Sequence, residues 1–538
     1  MPATQPRSHP ARRSLAIFLT AALTLVASLP GCGTGISRRT DTLIFAKAKD
    51  ATRLDPADTV DAESTTVTEN ICEGLVRFAD GSCRIEPALA TRWDVSPDGR
   101  TWTFHLRPGV RFHDGTPFDA RAVKLSFDRQ RKPGPGQVFE FWASFFAPVL
   151  DRVEVVDPRT VRMRLKVPDA TFLANLAIPS MSILSPTALA NEDAAAIARH
   201  PVGTGPFRFV RWVRGERIVL ERNLDYWDGP PRLRKLVFKP VPENAVRLLE
   251  LEVGAVDAMD GINPDDVARV ERNPELRLAS APGMNVGYLA FNVTRKPLDD
   301  VRVRRAIRLA LDKPALVKAF FAGGRLGQAA VNPMPPALLG YAERLVDPAP
   351  DLSIARRLLA EAGLAGGFEL PLWALPVARP YMPQGQRTAE AIQAALQPLG
   401  IRVNIQSYEW GTYLDKLGRG DHTAALMGWI GDNGDPDNFL YTMFDANNAR
   451  PGGGASNYCF YRDPAVHAWL TEARLTTVLA TRTRLYRQVQ ERLHDDVPCI
   501  PLFHARQLVA MRGNVRGFAL HPTGVKRFAR VWLEGDAP

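Results

Sequence analysis

The sequence predicts an α/β fold in at least two interleaved lobes, and three observations carry the prediction. Short segments with the period-2 alternation of half-buried strands recur along the chain. Helical stretches with good N-caps sit between them. Roughly 500 residues follow the N-terminal leader, more than one hydrophobic core usually serves, and no repeat or long low-complexity linker divides them.

The leader comes first along the chain. Arg7, Arg12 and Arg13 precede an uncharged stretch, residues 14–29, which ends at Pro30, Gly31 and Cys32. A basic start, an apolar middle and a small residue at the cut mark a signal peptide over residues 1–31. The apolar stretch falls short of the ~20 residues of a membrane span. Leu29-Pro30-Gly31-Cys32 resembles a bacterial lipobox, which implies lipidation of Cys32; ordinary cleavage is the alternative, because Pro30 departs from the small or aliphatic residue usual there. No later segment reads as a membrane span, so the only anchor expected is lipid.

Strands are expected at residues 101–106 (TWTFHL), 160–165 (TVRMRL), 217–221 (RIVLE) and 286–292 (VGYLAFN). Asp299 and Asp300 cap a helix in which Val303, Ile307, Ala310 and Leu311 form one face and arginines the others. Further helices are expected at 353–362, closed by Gly363, and at 388–396, closed before Pro398. The Pro- and Gly-rich stretch 323–350 reads as a surface excursion.

The formal charge of +10 falls to +7 without the three leader arginines, since residues 1–31 hold no acid. Lysines and arginines are scattered and no nucleic-acid motif is present, so no nucleic-acid partner is expected; the basic balance at most favours an anionic membrane surface. Cys72, Cys83, Cys459 and Cys499 lack zinc spacing. Cys72 and Cys83 flank a turn at 79–82, where a local disulfide and four buried thiols are both open readings. No H-E-x-x-H, G-x-S-x-G or Walker A sequence occurs, and His105 and His113 are separated by Pro108-Gly109, so no enzyme and no cofactor are expected.

The most informative stretch is 424–438, AALMGWIGDNGDPDN, read with Arg379 in PVARPYMP. An apolar strand delivers Trp429 to a loop of carboxylates among glycines, where a small cationic group can approach the backbone. Counted from Asp432, positions 3, 5 and 6 are Gly434, Pro436 and Asp437, which fails the calcium-loop pattern, so no metal is expected. An arginine that forks a carboxylate and an aspartate that pairs an ammonium together suit a zwitterion such as a short peptide.

Longer motifs accompany these: EGLVRF (73–78), PALATRWDVSPDGRTWTFHLRPGVRFHDG (87–115), VGTGPF (202–207), LERNLDYW (220–227), NVGYLAFN (285–292), YEWGTYL (408–414) and MGWIGDNGDPDNF (427–439). With them the chain resembles the large extracytoplasmic solute-binding proteins of ABC importers for peptides, and its segments around Arg379 and Asp432 resemble the dipeptide-binding branch. The resemblance implies a two-lobed periplasmic-binding-protein clamp, type II, with an extra domain inserted in the first lobe. The first lobe would comprise 41–283 plus 503–538 and the second 284–502, with hinge segments near 282–285 and 502–504. Ligand would close the clamp, and a membrane permease with its ATPase would read the closed form of a monomeric, exported protein.

Carried over residue by residue, the resemblance implies that Arg379 takes the peptide carboxylate and Asp432 the ammonium. Tyr381, Trp429 and Asn433 would line the site, and Asp61, with Val60 and Ser64, would face the ligand from the first lobe. Asp435 and Asp437 are read as turn-formers and caps. Rival ligands are glutathione, 5-aminolevulinate, haem and longer or antimicrobial peptides; a peptide sensor or periplasmic chaperone is the rival outside transport. Relatives often carry a cysteine where Ala446 stands, thirteen residues before Cys459, so their local disulfide has no counterpart here.

Overall fold

A computed structural model describes residues 41–134, 137–450 and 452–535. The signal peptide and Cys32 lie outside the described residues. The alternation of TWTFHL buries Trp102, Phe104 and Leu106, and Thr101–Leu106 is a strand with the expected bounds, as is Thr160–Leu165. They lie at the centre of an antiparallel sheet ordered Ala90–Val95, Thr101–Leu106, Thr160–Leu165, Leu150–Asp157. Helix Ala120–Arg131, capped by Asp119, helps to cover it, and Phe127, Trp142, Phe146 and Phe172 fill a core of their own.

The other sheet is larger. Its order runs Arg402–Gln406, Glu369–Trp373, Ala424–Ile430, Asn285–Phe291, Cys499–Arg512, Ala258–Asp260, Thr42–Lys47, Lys235–Pro240, Arg217–Arg222, Phe207–Val213. The long strand Cys499–Arg512 serves both halves: its start pairs with Asn285–Phe291, and its end with Ala258–Asp260 and Leu276–Pro282. Asn285–Phe291 is buried at every position, so it lacks the alternation of a strand with one wet face.

Between the halves the chain crosses twice, side by side. The Asn285 side chain accepts from the Ala505 N–H at 2.9 Å and donates to the Ala505 carbonyl at 3.0 Å, while His504 Nδ1 donates to the Asn285 carbonyl at 2.7 Å.

Three of the sequence motifs meet at one buried carboxylate. Glu73 accepts from the Thr204 hydroxyl at 2.8 Å, the Tyr226 hydroxyl at 2.9 Å and the Trp227 indole at 2.9 Å. Burial pushes its carboxyl up, and the three donors oppose this. Gly203 and Gly205 let the backbone of VGTGPF lie on Ile71, where a Cβ on Gly203 would stand 2.2 Å from the Ile71 carbonyl oxygen. His113 Nε2 donates to the Gly205 carbonyl at 3.0 Å, and His105 Nε2 meets Asp94 at 2.8 Å, so both histidines have local structural partners.

Two expectations need correction. Residues 323–350 are not a surface excursion throughout: Gly327–Ala329 is a strand on Cys499–Arg512, and Ala330, Asn332 and Met334 are buried, because proline and glycine shape this segment to the core's edge. The arginines of Val301–Ala310 are not all outside. Arg304 is buried and donates to the Asp496 and Val497 carbonyls, satisfying the end of helix Leu479–Asp496.

The remaining helices follow their caps. Asp351 caps Leu352–Glu361, which Gly363 closes with a positive φ of 77°, and the third spans Gly385–Leu396. Cys72, Cys83, Cys459 and Cys499 are all free thiols here, so no local bridge joins Cys72 to Cys83 in this structure; Cys72 packs on Gly203 and Cys83 on Gly434.

Candidate functional site

Arg379 sits in a tight turn. Its N–H donates to the Met382 carbonyl at 3.3 Å and its carbonyl accepts from the Met382 N–H at 2.9 Å, with Pro380 fixing the bend. The guanidinium carbon lies 4.5 Å from the centre of the Trp410 ring. Trp410 stacks on Tyr413 at 5.9 Å, and the Tyr413 hydroxyl donates to the Leu426 carbonyl at 2.6 Å. The arginine therefore rests on an aromatic column rooted in strand Ala424–Ile430. Among the described residues no carboxylate pairs with it.

The turn lies directly on the sheet because two glycines face each other there. Gly287 and Gly428 are partners in neighbouring strands. A Cβ on Gly428 would stand 2.2 Å from the Tyr381 ring, and one on Gly287 2.6 Å from the Tyr381 carbonyl oxygen. Tyr381 is buried against this pair, and burial pushes its hydroxyl pKa up while Arg379 opposes the shift.

The acidic loop begins two residues past the end of the same strand. Four residues of chain bound the distance from Gly428 to Asp432 at about 14 Å. Asn438 organises its start: the Trp429 indole and the Asp432 N–H both donate to the Asn438 side-chain oxygen, at 3.1 and 2.9 Å, and the Asn438 amide donates back to Asp432 at 3.1 Å. Alternation along the strand sends Trp429 to the face opposite Gly428 and Tyr381.

Asp432 and its neighbours divide sharply by partner. Asp435 is buried and paired with buried Arg482 at 2.7 Å; Asp437 lies 3.4 Å from Arg474. Burial pushes Asp437 up to about 7, Asp435 and Asp169 add to the rise, and Arg474 opposes it. Asp432 has no cation beside it among the described residues, and burial pushes it up to about 6 against the Asn438 hydrogen bond. The loop thus offers one uncompensated carboxylate; its other two are neutralised from helices Pro464–Leu475 and Leu479–Asp496.

Asn433 is buried, donating to the Asn175 side-chain oxygen at 2.6 Å and accepting from the Asp435 N–H at 2.9 Å. Nearby the Ala170 N–H donates to the Arg474 carbonyl at 2.8 Å. The acidic loop is thereby tied to the segment 169–175. Asp61 caps helix Ala62–Thr68 through Ser64 N–H at 2.7 Å and accepts from the Thr52 hydroxyl at 2.8 Å. Val60 is exposed, and Ser64 is buried and accepts from the Thr52 N–H.

So Trp429, Asp432 and Asn438 form one cluster and Arg379, Tyr381 and Trp410 another, joined by Ala424–Ile430. Sequence reading missed Trp410 and Asn438, although YEWGTYL and DPDNF contain them. Stacking on an arginine thirty-one residues away leaves no local pattern. No group of three or more His, Cys, Asp or Glu among the described residues is placed to hold a metal ion, and no helix there is long and apolar enough to cross a membrane.

The profile of the bacterial extracellular solute-binding proteins, family 5 Middle, matches residues 84–451. The chain is 38% identical over 482 residues to the dipeptide-binding protein of Escherichia coli, covering 86% of this chain and 88% of that one. It is 36% identical to heme-binding protein A of Haemophilus influenzae, covering 93% of each. Its fold superposes with a TM-score of 0.78 on the periplasmic binding protein DppA of Helicobacter pylori in complex with the peptide STSA, at 36% identity over 92% of this chain and 98% of that one.

Proposed function

Because the chain belongs to the bacterial extracellular solute-binding proteins of family 5, we propose that it is the extracytoplasmic substrate-binding component of an ABC importer and captures dipeptides by their charged termini. Arg379 takes the carboxylate and Asp432 the ammonium. Tyr381 and Trp410 hold the arginine's turn and column, and Trp429 braces the acidic loop. Asn433 and Asp61, whose side-chain oxygens are engaged within the protein, act as supports. The observation that carries the reading is the pair of opposite charges that lack counter-ions among the described residues, both seated against one strand.

The physical logic is that of desolvation. A cleft that closes strips water from the ligand, so each terminal charge must meet a fixed partner or the complex loses several kcal/mol per ion. Two fixed charges also measure length, because each added residue lengthens an extended peptide by ~3.3 to 3.6 Å. We place the lobes at 41–283 plus 503–538 and at 284–502, with the paired crossings around Asn285 and His504 as hinge. The closed form is then what a permease and its ATPase engage, with Cys32 the lipid anchor of an exported chain.

Calorimetric titration of the mature protein with a free amino acid, a dipeptide, a tripeptide, glutathione and haem tests this. A single dipeptide site is expected, and Arg379→Ala should abolish it without unfolding the chain. Binding of haem or of longer peptides alone would end the dipeptide reading. Gly428→Ala should weaken dipeptide binding about tenfold or more, because the new Cβ displaces Tyr381 and with it the arginine turn. An unchanged affinity in that variant would separate the turn from the site.

A further inference from the structure

Two of the described cysteines, Cys459 and Cys499, lie near one another in the interior. Cys499 opens the long strand and is the register partner of Ala290. Three residues beyond Ala290, the Val293 N–H donates to the Cys459 carbonyl. Both cysteines are free, buried thiols; burial raises the Cys499 pKa and the neighbouring Cys459 adds to the rise, and both lie near the buried Tyr288 phenol. No third metal ligand joins them among the described residues, which removes a metal site. A buried thiol whose burial favours its neutral form is also a poor nucleophile for outside substrates.

We propose that Cys459 and Cys499 form an intramolecular disulfide in the exported protein. The proposal rests on the reading of residues 1–31 as an export leader, since disulfides persist outside the reducing cytoplasm. The oxidant is a protein disulfide of that compartment, of the dithiol–disulfide exchange class. One chain thiolate attacks a sulfur of that disulfide, forming a mixed disulfide and freeing one partner thiolate. The second chain thiolate then attacks the chain's own sulfur in the mixed disulfide, closes the Cys459–Cys499 bond and releases the second partner thiolate. The chain loses two electrons and two protons, and the partner becomes a dithiol. Because both sulfurs are sealed in the folded core, exchange belongs to folding, before the core closes.

The bond has a place in the site's architecture. It closes a loop of about 40 residues that contains helices Pro464–Leu475 and Leu479–Asp496. Those helices carry Arg474 and Arg482, the cations that neutralise Asp437 and Asp435. A staple at the base of this helical pair would hold both arginines against the acidic loop.

The test is alkylation of the exported protein, unfolded without reductant, followed by peptide mapping. Cys72 and Cys83 should be alkylated and Cys459 and Cys499 recovered as one cross-linked peptide pair. In parallel, leaderless protein is unfolded, refolded with oxidised glutathione and mapped in the same way. A link in the refolded sample but not in the exported one overturns the export premise and leaves the pairing standing; four alkylated cysteines in both, or a Cys72–Cys83 link, overturns the pairing. Reduction should lower the Tm of the wild type by a few degrees. It should leave that of Cys459→Ser unchanged, and an equal shift in both would also overturn the pairing.

Discussion

Asparagine in place of Asp432 is expected to weaken dipeptide binding at pH 7 by about two orders of magnitude or more. The substitution keeps the shape and the Asn438 contact but removes the one loop carboxylate with no cation beside it among the described residues. A ligand ammonium would then be buried without its partner, a loss of ~2–5 kcal/mol. The pH dependence supplies a second signature. The carboxyl of the free protein stands near 6, and a bound ammonium pulls it down, so ligand and proton compete. Affinity should be full above about pH 6.5 and fall about tenfold per unit below 6, until the bound-state pKa is reached. The asparagine variant should be flat across that range. Calorimetry from pH 5 to 7.5 decides, and equal affinities with equal pH profiles would move the ammonium site elsewhere.

Replacing Arg482 with methionine should destabilise the fold by about 3–5 kcal/mol, the usual cost of breaking a buried ion pair from one side. Arg482 is 4% exposed and donates to Asp435 at 2.7 Å, to the Tyr486 hydroxyl at 2.8 Å and to the Ala473 carbonyl at 2.9 Å. Without it Asp435 is a buried carboxylate beside Asp437, whose carboxyl is already raised to about 7. The double variant Arg482→Met with Asp435→Asn should recover most of the loss, because it removes both charges together. Denaturant unfolding of the three proteins measures this. A single variant as stable as wild type would mean that the pair contributes nothing.

What the sequence could show depended on the range of the interaction. Thr101–Leu106 was legible because each side chain's environment alternates with its neighbour. The cap at Asp300 was legible because it lies two residues from the N–H it accepts. Arg379 and Asp432 stood out through their motifs, not through their surroundings. By contrast, Asn175 and Asn433 are 258 residues apart, and nothing near either predicts that they meet. Arg304 looked like one more exposed arginine because the carbonyls it satisfies belong to a helix almost two hundred residues on. The segment 323–350 misled because proline and glycine report backbone shape and are silent about what covers it.

The strand Cys499–Arg512 also governs the order in which this protein can be completed. Ala258–Asp260 takes its antiparallel partner from residues 509–511, about 250 positions later in the chain. Until those residues arrive, both halves of the large sheet present bare strand edges, the kind of surface that invites pairing with other chains. Residues 499–512 are therefore a keystone: a ribosome or a secretion channel that has released everything before them has still not released a finished sheet.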